Sequence, residues 1–190
     1  MNLIGNCCLS SYLLRLWGFG NTNPFTWIDM NFTSFYNLLT NYDNIDFDKF
    51  ELTNRSHPYI KNQIVYEIVV DNQVALTFIH HKNPDQIIEK YKKHLNIMRK
   101  NDKEPMFALE WEHLDYNEEA FMKMYNLPEI KYKVAVITYN TKLRDLPPKE
   151  NLLVIYDPHG RGGGYKGAGN RFPQWYAQTY NKVIKEFVYK

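Results

Sequence analysis

The chain of 190 residues carries a formal charge of +2, and 44% of its residues are hydrophobic and 23% charged. This composition excludes a disordered chain, and the near balance of charge gives no electrostatic case for binding nucleic acid or a membrane surface. The length suits one hydrophobic core, so we expect residues 1–190 to form a single domain.

The cysteine content indicates the cellular compartment that we expect for the protein. Cys7 and Cys8 are the only cysteines, and adjacent residues are too close for a relaxed disulfide. Reduced thiols and the lack of a basic signal-peptide start favour a cytoplasmic protein. No apolar stretch approaches the roughly 18 residues of a membrane-spanning helix, so we expect neither a membrane nor a nucleic-acid partner.

The first third of the chain has helical spacing. Its leucines predict a helix over residues 8–17. A second helix is predicted to begin at Asn31 or Thr33, which are capping residue types, and to end near Asn41. Residues 43–60 are interpreted as an acidic, irregular loop.

The remaining two thirds have β-rich runs separated by helical segments. A hairpin is predicted over residues 63–70 and 73–79, joined by Asp71 and Asn72. Helices are predicted over residues 84–99, 117–125 and 174–188, and further strands over residues 106–109, 134–139 and 152–156. This order predicts a mixed α/β (α+β) protein, in which helices flank one mixed sheet of about five strands.

The order of elements also predicts where a site would lie. If the helices are crossovers, strands 73–79, 106–109 and 134–139 run parallel and their carboxyl ends share the edge where open α/β folds place their sites. The residues expected at that edge are His80, His81, Glu110 and Asn140. Asp157 joins them only if strand 152–156 is also parallel, since a long hairpin would send it to the opposite edge.

Cys8 is the residue whose position most favours a catalytic role. It stands where the first helix begins, and free N–H groups there lower the pKa of a thiol and stabilise an oxyanion. A thiol nucleophile needs a base, and His80 would be held rigidly at the end of the hairpin. The alternative left open is that Cys7 and Cys8 are small buried side chains with no chemical role.

A metal site is a competing use of the polar residues. The side chains that offer suitable ligand types are His80, His81, Glu110, Glu112, His113, Asp157 and His159. Their spacing matches no metal-binding motif, so we expect no metal and no cofactor. Residues 156–170 are rich in glycine without a phosphate-binding motif, which favours a long turn or flap. His94, on a lysine-rich helix, is expected to be solvated.

Short stretches of the chain share the spacing of a known family. They are GNCCLSS from Gly5, PFTW from Pro24 and FIH from Phe78. They resemble the Gly-x-x-Cys-x-x-Ser, Pro-Phe-Asp-Trp and Phe-x-His-Asp segments of the papain-like cysteine peptidases of bacteria and large DNA viruses. The lysine-rich run from Lys90 is similar to the basic helix of that family, and the resemblance covers roughly residues 3–110.

The resemblance implies one papain-like domain that acts as a cysteine peptidase or as a related acyl or amide transferase. Cys8 would be the nucleophile and His80 the general base. The third catalytic residue is left open among Asp157, the first choice, Glu110 and Asn140. A peptide, an ester and a glycan-linked amide are equally compatible substrates.

Two departures from the family pattern motivate an alternative. Thr26 stands where the family has an acid, and His81 stands where it has the Asp that follows the histidine. A catalytically inactive binding protein of the same fold would use aromatic side chains that we expect to be exposed: Trp111, Tyr116, Trp175 and Tyr176. A metal-dependent hydrolase is the further alternative.

Overall fold

The computed structural model describes residues 2–20, 23–56, 63–79, 81–101, 103–111, 115–158 and 172–189, with the backbone alone for 172–175. Within these residues the strands are β1 (Asn2–Ile4), β2 (Phe50–Ser56), β3 (Ile64–Val70), β4 (Val74–Phe78), β5 (Pro105–Glu110), β6 (Val134–Thr138) and β7 (Leu152–Tyr156). The helices are α1 (Leu9–Leu16), α2 (Phe32–Asn41), α3 (Pro84–Asn101), α4 (Glu118–Tyr125), α5 (Thr141–Arg144) and α6 (Phe172–Tyr189), with a 3-10 turn over Tyr42–Asn44. This content confirms the mixed α/β class.

The strands form two sheets, so the prediction of one sheet of about five strands is wrong. A four-stranded sheet has the order β1-β5-β6-β7, and its neighbouring strands are all parallel. The sequence left the direction of β7 open, and the parallel pairing with β6 brings Asp157 to the same edge as Glu110. The strand β1 was not predicted.

The second sheet is antiparallel and has the order β2-β3-β4. Its β3 and β4 are the predicted hairpin, and Asp71 and Asn72 have φ of 48° and 55°, a conformation that these residue types tolerate. Because β4 belongs to this sheet, the prediction that strand 73–79 runs parallel to strand 106–109 is wrong. The prediction of an irregular loop over 43–60 is also wrong, since β2 lies within it.

Alternate residues of the parallel strands face opposite layers. Leu3 and Ala108 pack with α1 and α6 on one face, in one hydrophobic cluster. Ile4 and Phe107 pack with α2, α3, α4 and the antiparallel sheet on the other face. This period of two is the ordinary geometry of a strand buried on both faces. The parallel sheet is therefore a central layer between the two clusters.

Local sequence signals correctly predict where two of the helices begin. Asn31 caps α2 by accepting a hydrogen bond from the Ser34 N–H at 2.8 Å, as its residue type predicts. Asn117 caps α4 in the same way through the Ala120 N–H at 2.9 Å. The short α5 was not predicted. Among the described residues, no helix combines the length and the apolar character needed to cross a membrane.

Candidate functional site

The two cysteines lie in the turn between β1 and α1. Cys8 occupies the N-cap position of α1, and Cys7 precedes it; the two residues are 8% and 2% exposed. Gly5 opens this turn, and a Cβ there would come within 2.8 Å of Ser10 Oγ and 3.0 Å of the Ala108 carbonyl oxygen. The turn is therefore pressed against β5 and α1, and it holds Cys8 at the carboxyl edge of the parallel sheet.

Asn6 fixes the cysteine turn to the end of β5. Its Oδ1 accepts a hydrogen bond from the Glu110 N–H at 3.0 Å, and its Nδ2 donates to the Glu110 carbonyl at 2.8 Å. The carbonyl of Asn6 accepts from the Met30 N–H at 3.0 Å. The buried amide thus ties the turn to β5, and its own backbone ties the turn to the chain just before α2.

The end of β4 is connected to the same turn. Asp29, the neighbour of Met30, exchanges two backbone hydrogen bonds of 2.9 Å with Thr77 of β4. The predicted base, His80, follows three residues after Thr77 and lies outside the described residues. The strand that leads to His80 therefore ends beside the cysteine turn.

His81 contacts a lysine of α3. Lys90 Nζ lies 2.9 Å from His81 Nε2 and 3.5 Å from the Thr26 carbonyl oxygen. A lysine ammonium can only donate, so His81 accepts through Nε2 and carries its proton on Nδ1. Burial lowers the pKa of Lys90, while the neighbouring Cys8 acts in the opposite direction.

The pKa of the Cys8 thiol is raised to about 12. Burial is the largest cause, the negative charges of Asp29 and Glu110 add to it, and the positive charge of Lys90 opposes it. The prediction that the start of a helix lowers this pKa is therefore wrong, because burial and two acids outweigh the partial positive charge at the helix start. At neutral pH Cys8 is a thiol, and its reaction needs a base.

Cys7 has a different environment. Its Sγ lies 3.5 Å from Glu110 Oε2 and accepts a hydrogen bond from the Leu9 N–H. Burial, followed by the charge of Glu110, raises its pKa well above the usual value. Cys7 is thus a buried hydrogen-bonding side chain, whereas Cys8 is the more exposed of the two thiols.

The three candidates for the third catalytic residue have different positions. Glu110 is 1% exposed and ends β5, the strand next to β1. Asp157 is fully buried and follows β7, which lies about 14 Å from β1 across the sheet at ordinary strand spacing. Asn140 caps α5 by accepting from the Lys142 N–H at 3.0 Å, which accounts for its position structurally.

Asp29 is an acid of the site that sequence reasoning missed. It is 4% exposed, and it is the first of the charged groups that raise the pKa of Cys8. No motif marks it, because its position depends on the pairing with Thr77. Thr26, at the position of the family acid, is fully buried and donates through Oγ1 to the Asn23 carbonyl at 3.2 Å within its own turn.

Several other expectations about side chains are wrong. His94 is 7% exposed and not solvated. The aromatic residues taken as a binding surface are buried, namely Trp111, Tyr116 and Tyr176. The side chain of Trp175 lies outside the described residues. Trp111, Tyr116 and Tyr176 therefore give no support to the inactive binding protein.

Most of the residues suggested as metal ligands lie outside the described part of the chain. Glu112, His113 and His159 are among these, and most of the glycine-rich segment 156–170 also lies outside it. Within the described part of the chain, no three His, Cys, Asp or Glu side chains form a group that could hold a metal ion. The alternative of a metal-dependent hydrolase stays a hypothesis.

Comparisons with known proteins do not assign the chain to a family. No protein-family model matches it, and no curated protein matches it. The resemblance of the short segments therefore stays a hypothesis, and the function is argued from the geometry of the site.

Proposed function

We propose that the protein is a papain-like thiol hydrolase, or a related acyl transferase, in which Cys8 attacks a carbonyl carbon. The observation that carries the proposal is the placement of Cys8. It begins a helix at the carboxyl edge of a parallel sheet, with the end of β4 tied alongside. Enzymes of open α/β fold use this edge for catalysis.

The proposed general base is His80. Cys8 is a thiol at neutral pH, so the base must remove its proton as the sulfur attacks. His80 follows the end of β4, which the pairing of Thr77 with Asp29 holds beside the cysteine turn. His81 is the weaker choice because its Nε2 is directed at Lys90.

A carboxylate would orient the imidazole and stabilise it when it is protonated. Asp29 is the acid that we now favour, since it pairs directly with β4 and its charge acts on Cys8 more than that of Glu110. Asp157 and Glu110 stay as the alternatives that the sequence suggested. Replacing each acid in turn by its amide separates the three.

The reaction would proceed through a thioester. Attack of the Cys8 sulfur makes a tetrahedral intermediate, and a backbone N–H at the start of α1 would stabilise its oxyanion. The protonated histidine then gives its proton to the leaving group as the carbonyl re-forms. Water hydrolyses the thioester in a hydrolase, and another nucleophile takes the acyl group in a transferase.

Turnover of p-nitrophenyl acetate tests the proposal. We expect Cys8→Ser and His80→Gln to lose at least about 100-fold in rate, since each removes a group that takes part in the reaction. Cys7→Ser is the matched control and should keep most of the activity. Full activity in Cys8→Ser would refute the proposal. Loss of the activity to a chelator, with recovery on adding zinc, would favour the metal-dependent hydrolase instead.

A further inference from the structure

A surface cavity of about 260 Å³, open to solvent, lies along one face of α3. It is lined by Gln86, Glu89, Lys90, Lys93 and His94. The spacing of three and four residues puts these side chains on the same side of the helix. The cavity thus includes Lys90, the cation that acts on Cys8, and it has one acid against two lysines.

Lys90 is a half-buried cation without a carboxylate partner among the described residues. Its contacts are the Thr26 carbonyl at 3.5 Å, His81 Nε2 at 2.9 Å and the ring of Phe78, whose centroid is 5.7 Å away. A partly desolvated charge without a counter-charge is costly. An anion in the cavity would offset that cost.

His94 is a second polar group of the cavity, and its hydrogen bonding is incomplete. His94 is 7% exposed, and Nδ1 has no hydrogen-bond partner among the described residues. Burial lowers the pKa of His94 to about 4, and the charges of Lys90 and Lys93 add to the effect, so the ring is neutral at pH 7. Buried ring nitrogens are normally hydrogen-bonded, so Nδ1 is a polar atom that a group bound beside α3 would satisfy.

The cavity is linked to the cysteine turn through one loop. Lys90 contacts the carbonyl of Thr26, and the next residue, Trp27, donates its N–H to Ser11 Oγ at 2.8 Å. Ser11 lies in the first turn of α1, which Cys8 begins. Lys90 therefore lies between the cavity and the reactive end of α1.

We propose that this cavity binds an oxyanion, a phosphate or carboxylate group, on the substrate whose carbonyl reacts at Cys8. Lys90 and Lys93 supply the charge, and the imidazole of His94 supplies a hydrogen bond. The inference rests on the proposed function and deepens it, because it makes the substrate an ester, thioester or amide that carries an anionic group. Neutral acyl substrates are the poorer ones.

Titration with inorganic phosphate and, separately, with acetate tests the site, using the His94 ring signals of the full chain in NMR. We expect a saturable shift, and the anion that binds more tightly identifies the substrate group. Lys90→Gln and Lys93→Gln should each weaken binding about tenfold, as expected when a charge-assisted hydrogen bond is lost. Lys93 is exposed, so its replacement tests the site even if Lys90→Gln fails to fold.

The matched control is Lys92→Gln on the same helix. Lys92 does not line the cavity, and its Nζ lies 5.9 Å from the centroid of the Phe50 ring. Its replacement should leave anion binding unchanged. No saturable shift with either anion, or an equal loss in Lys92→Gln, overturns the inference.

Two further readouts separate this inference from the proposed function. The Cys8→Ser variant should bind the anion with the same affinity as the wild-type protein, since Cys8 does not line the cavity. The natural chain should cleave a p-nitrophenyl ester with a terminal carboxylate or phosphate about tenfold faster than its neutral analogue, and Lys93→Gln should abolish that preference. Thiol-dependent cleavage without any such preference overturns the inference alone. Anion binding without thiol-dependent cleavage overturns the proposed function and, with it, the assignment of the anion to a substrate.

Discussion

The side chain of Asn6 is hydrogen-bonded to both backbone groups of Glu110, accepting from its N–H at 3.0 Å and donating to its carbonyl at 2.8 Å. The backbone register of β1 and β5 ends at Ile4 and Phe107. The amide of Asn6 therefore continues the pairing of the two strands into the cysteine turn. The position of Cys8 depends on this contact.

Replacing Asn6 by Ala should destabilise the protein by about 2–4 kcal/mol, because it removes two buried hydrogen bonds and leaves buried backbone groups without their partner. Urea unfolding followed by circular dichroism measures the loss. Asn96→Ala is the matched control, since Asn96 is exposed on α3 and should cost nothing. Equal stability of the two variants would contradict the role of Asn6.

Gly5→Ala should also destabilise the protein, by about 1–3 kcal/mol, because the added Cβ would meet Ser10 Oγ at 2.8 Å. The turn must shift, so the alkylation rate of Cys8 should change as well. The control is Gly20→Ala, where an added Cβ meets no atom within 4 Å. Thermal unfolding of the two variants decides the point, and an unchanged Gly5→Ala protein would count against a tightly packed turn.

The sequence predicted elements with strong local signals and missed those that depend on pairing. The caps Asn31 and Asn117 marked two helices, and the Asp71–Asn72 turn marked the hairpin. The polar strand β2 exposes most of its side chains and exists because β3 pairs with it, so its composition resembles a loop. The three residues of β1 are too few to show any period.

The candidate site was predicted only in part, for the same reason. The position of Cys8 at the start of a helix follows from the leucine spacing of α1. Its raised pKa could not be predicted, because the causes are burial and the acids Asp29 and Glu110, which other segments bring close. The contact between His81 and Lys90 likewise depends on how α3 packs after the hairpin.

His94 should make stability depend on pH. Its pKa is lowered from 6.5 to about 4, so the unfolded chain binds more protons between these values and the folded state loses stability as the pH falls through that window. Between pH 7 and pH 5 the loss should be about 2 kcal/mol. Urea unfolding at both pH values measures it.

The His94→Gln variant supplies the reference for that measurement, because it keeps every carboxylate and lacks the imidazole. Its stability should fall less than that of the natural chain over the same interval. If the two proteins lose the same amount between pH 7 and pH 5, the buried neutral state assigned to His94 is wrong.

Alkylation of Cys8 should be slow at neutral pH and accelerate about tenfold for each pH unit up to pH 10, since the thiolate is the reactive form and the pKa is about 12. Iodoacetamide labelling of the Cys7→Ser variant measures this slope. Labelling of Cys7 in Cys8→Ser should be slower still, because Cys7 is 2% exposed. A rate that levels off near pH 7 would contradict the raised pKa.

Lys90→Gln should slow the alkylation of Cys8 at a fixed pH of 9, because it removes the positive charge that opposes the rise in the thiol pKa. Labelling is followed by mass spectrometry in the Cys7→Ser background. Lys92→Gln, on the same helix and directed at the Phe50 ring, is the control. A faster reaction in Lys90→Gln would show that the lysine does not favour the thiolate.

Mass spectrometry of the intact protein, quenched with acid within the first turnover of a p-nitrophenyl ester, tests the central proposal most directly. The proposal predicts one acyl group per chain, bound to the Cys8 sulfur as a thioester. This acyl group should be present in Cys7→Ser and absent from Cys8→Ser. An acyl group of the same yield in Cys8→Ser, or none in any variant while the ester is being cleaved, would contradict it.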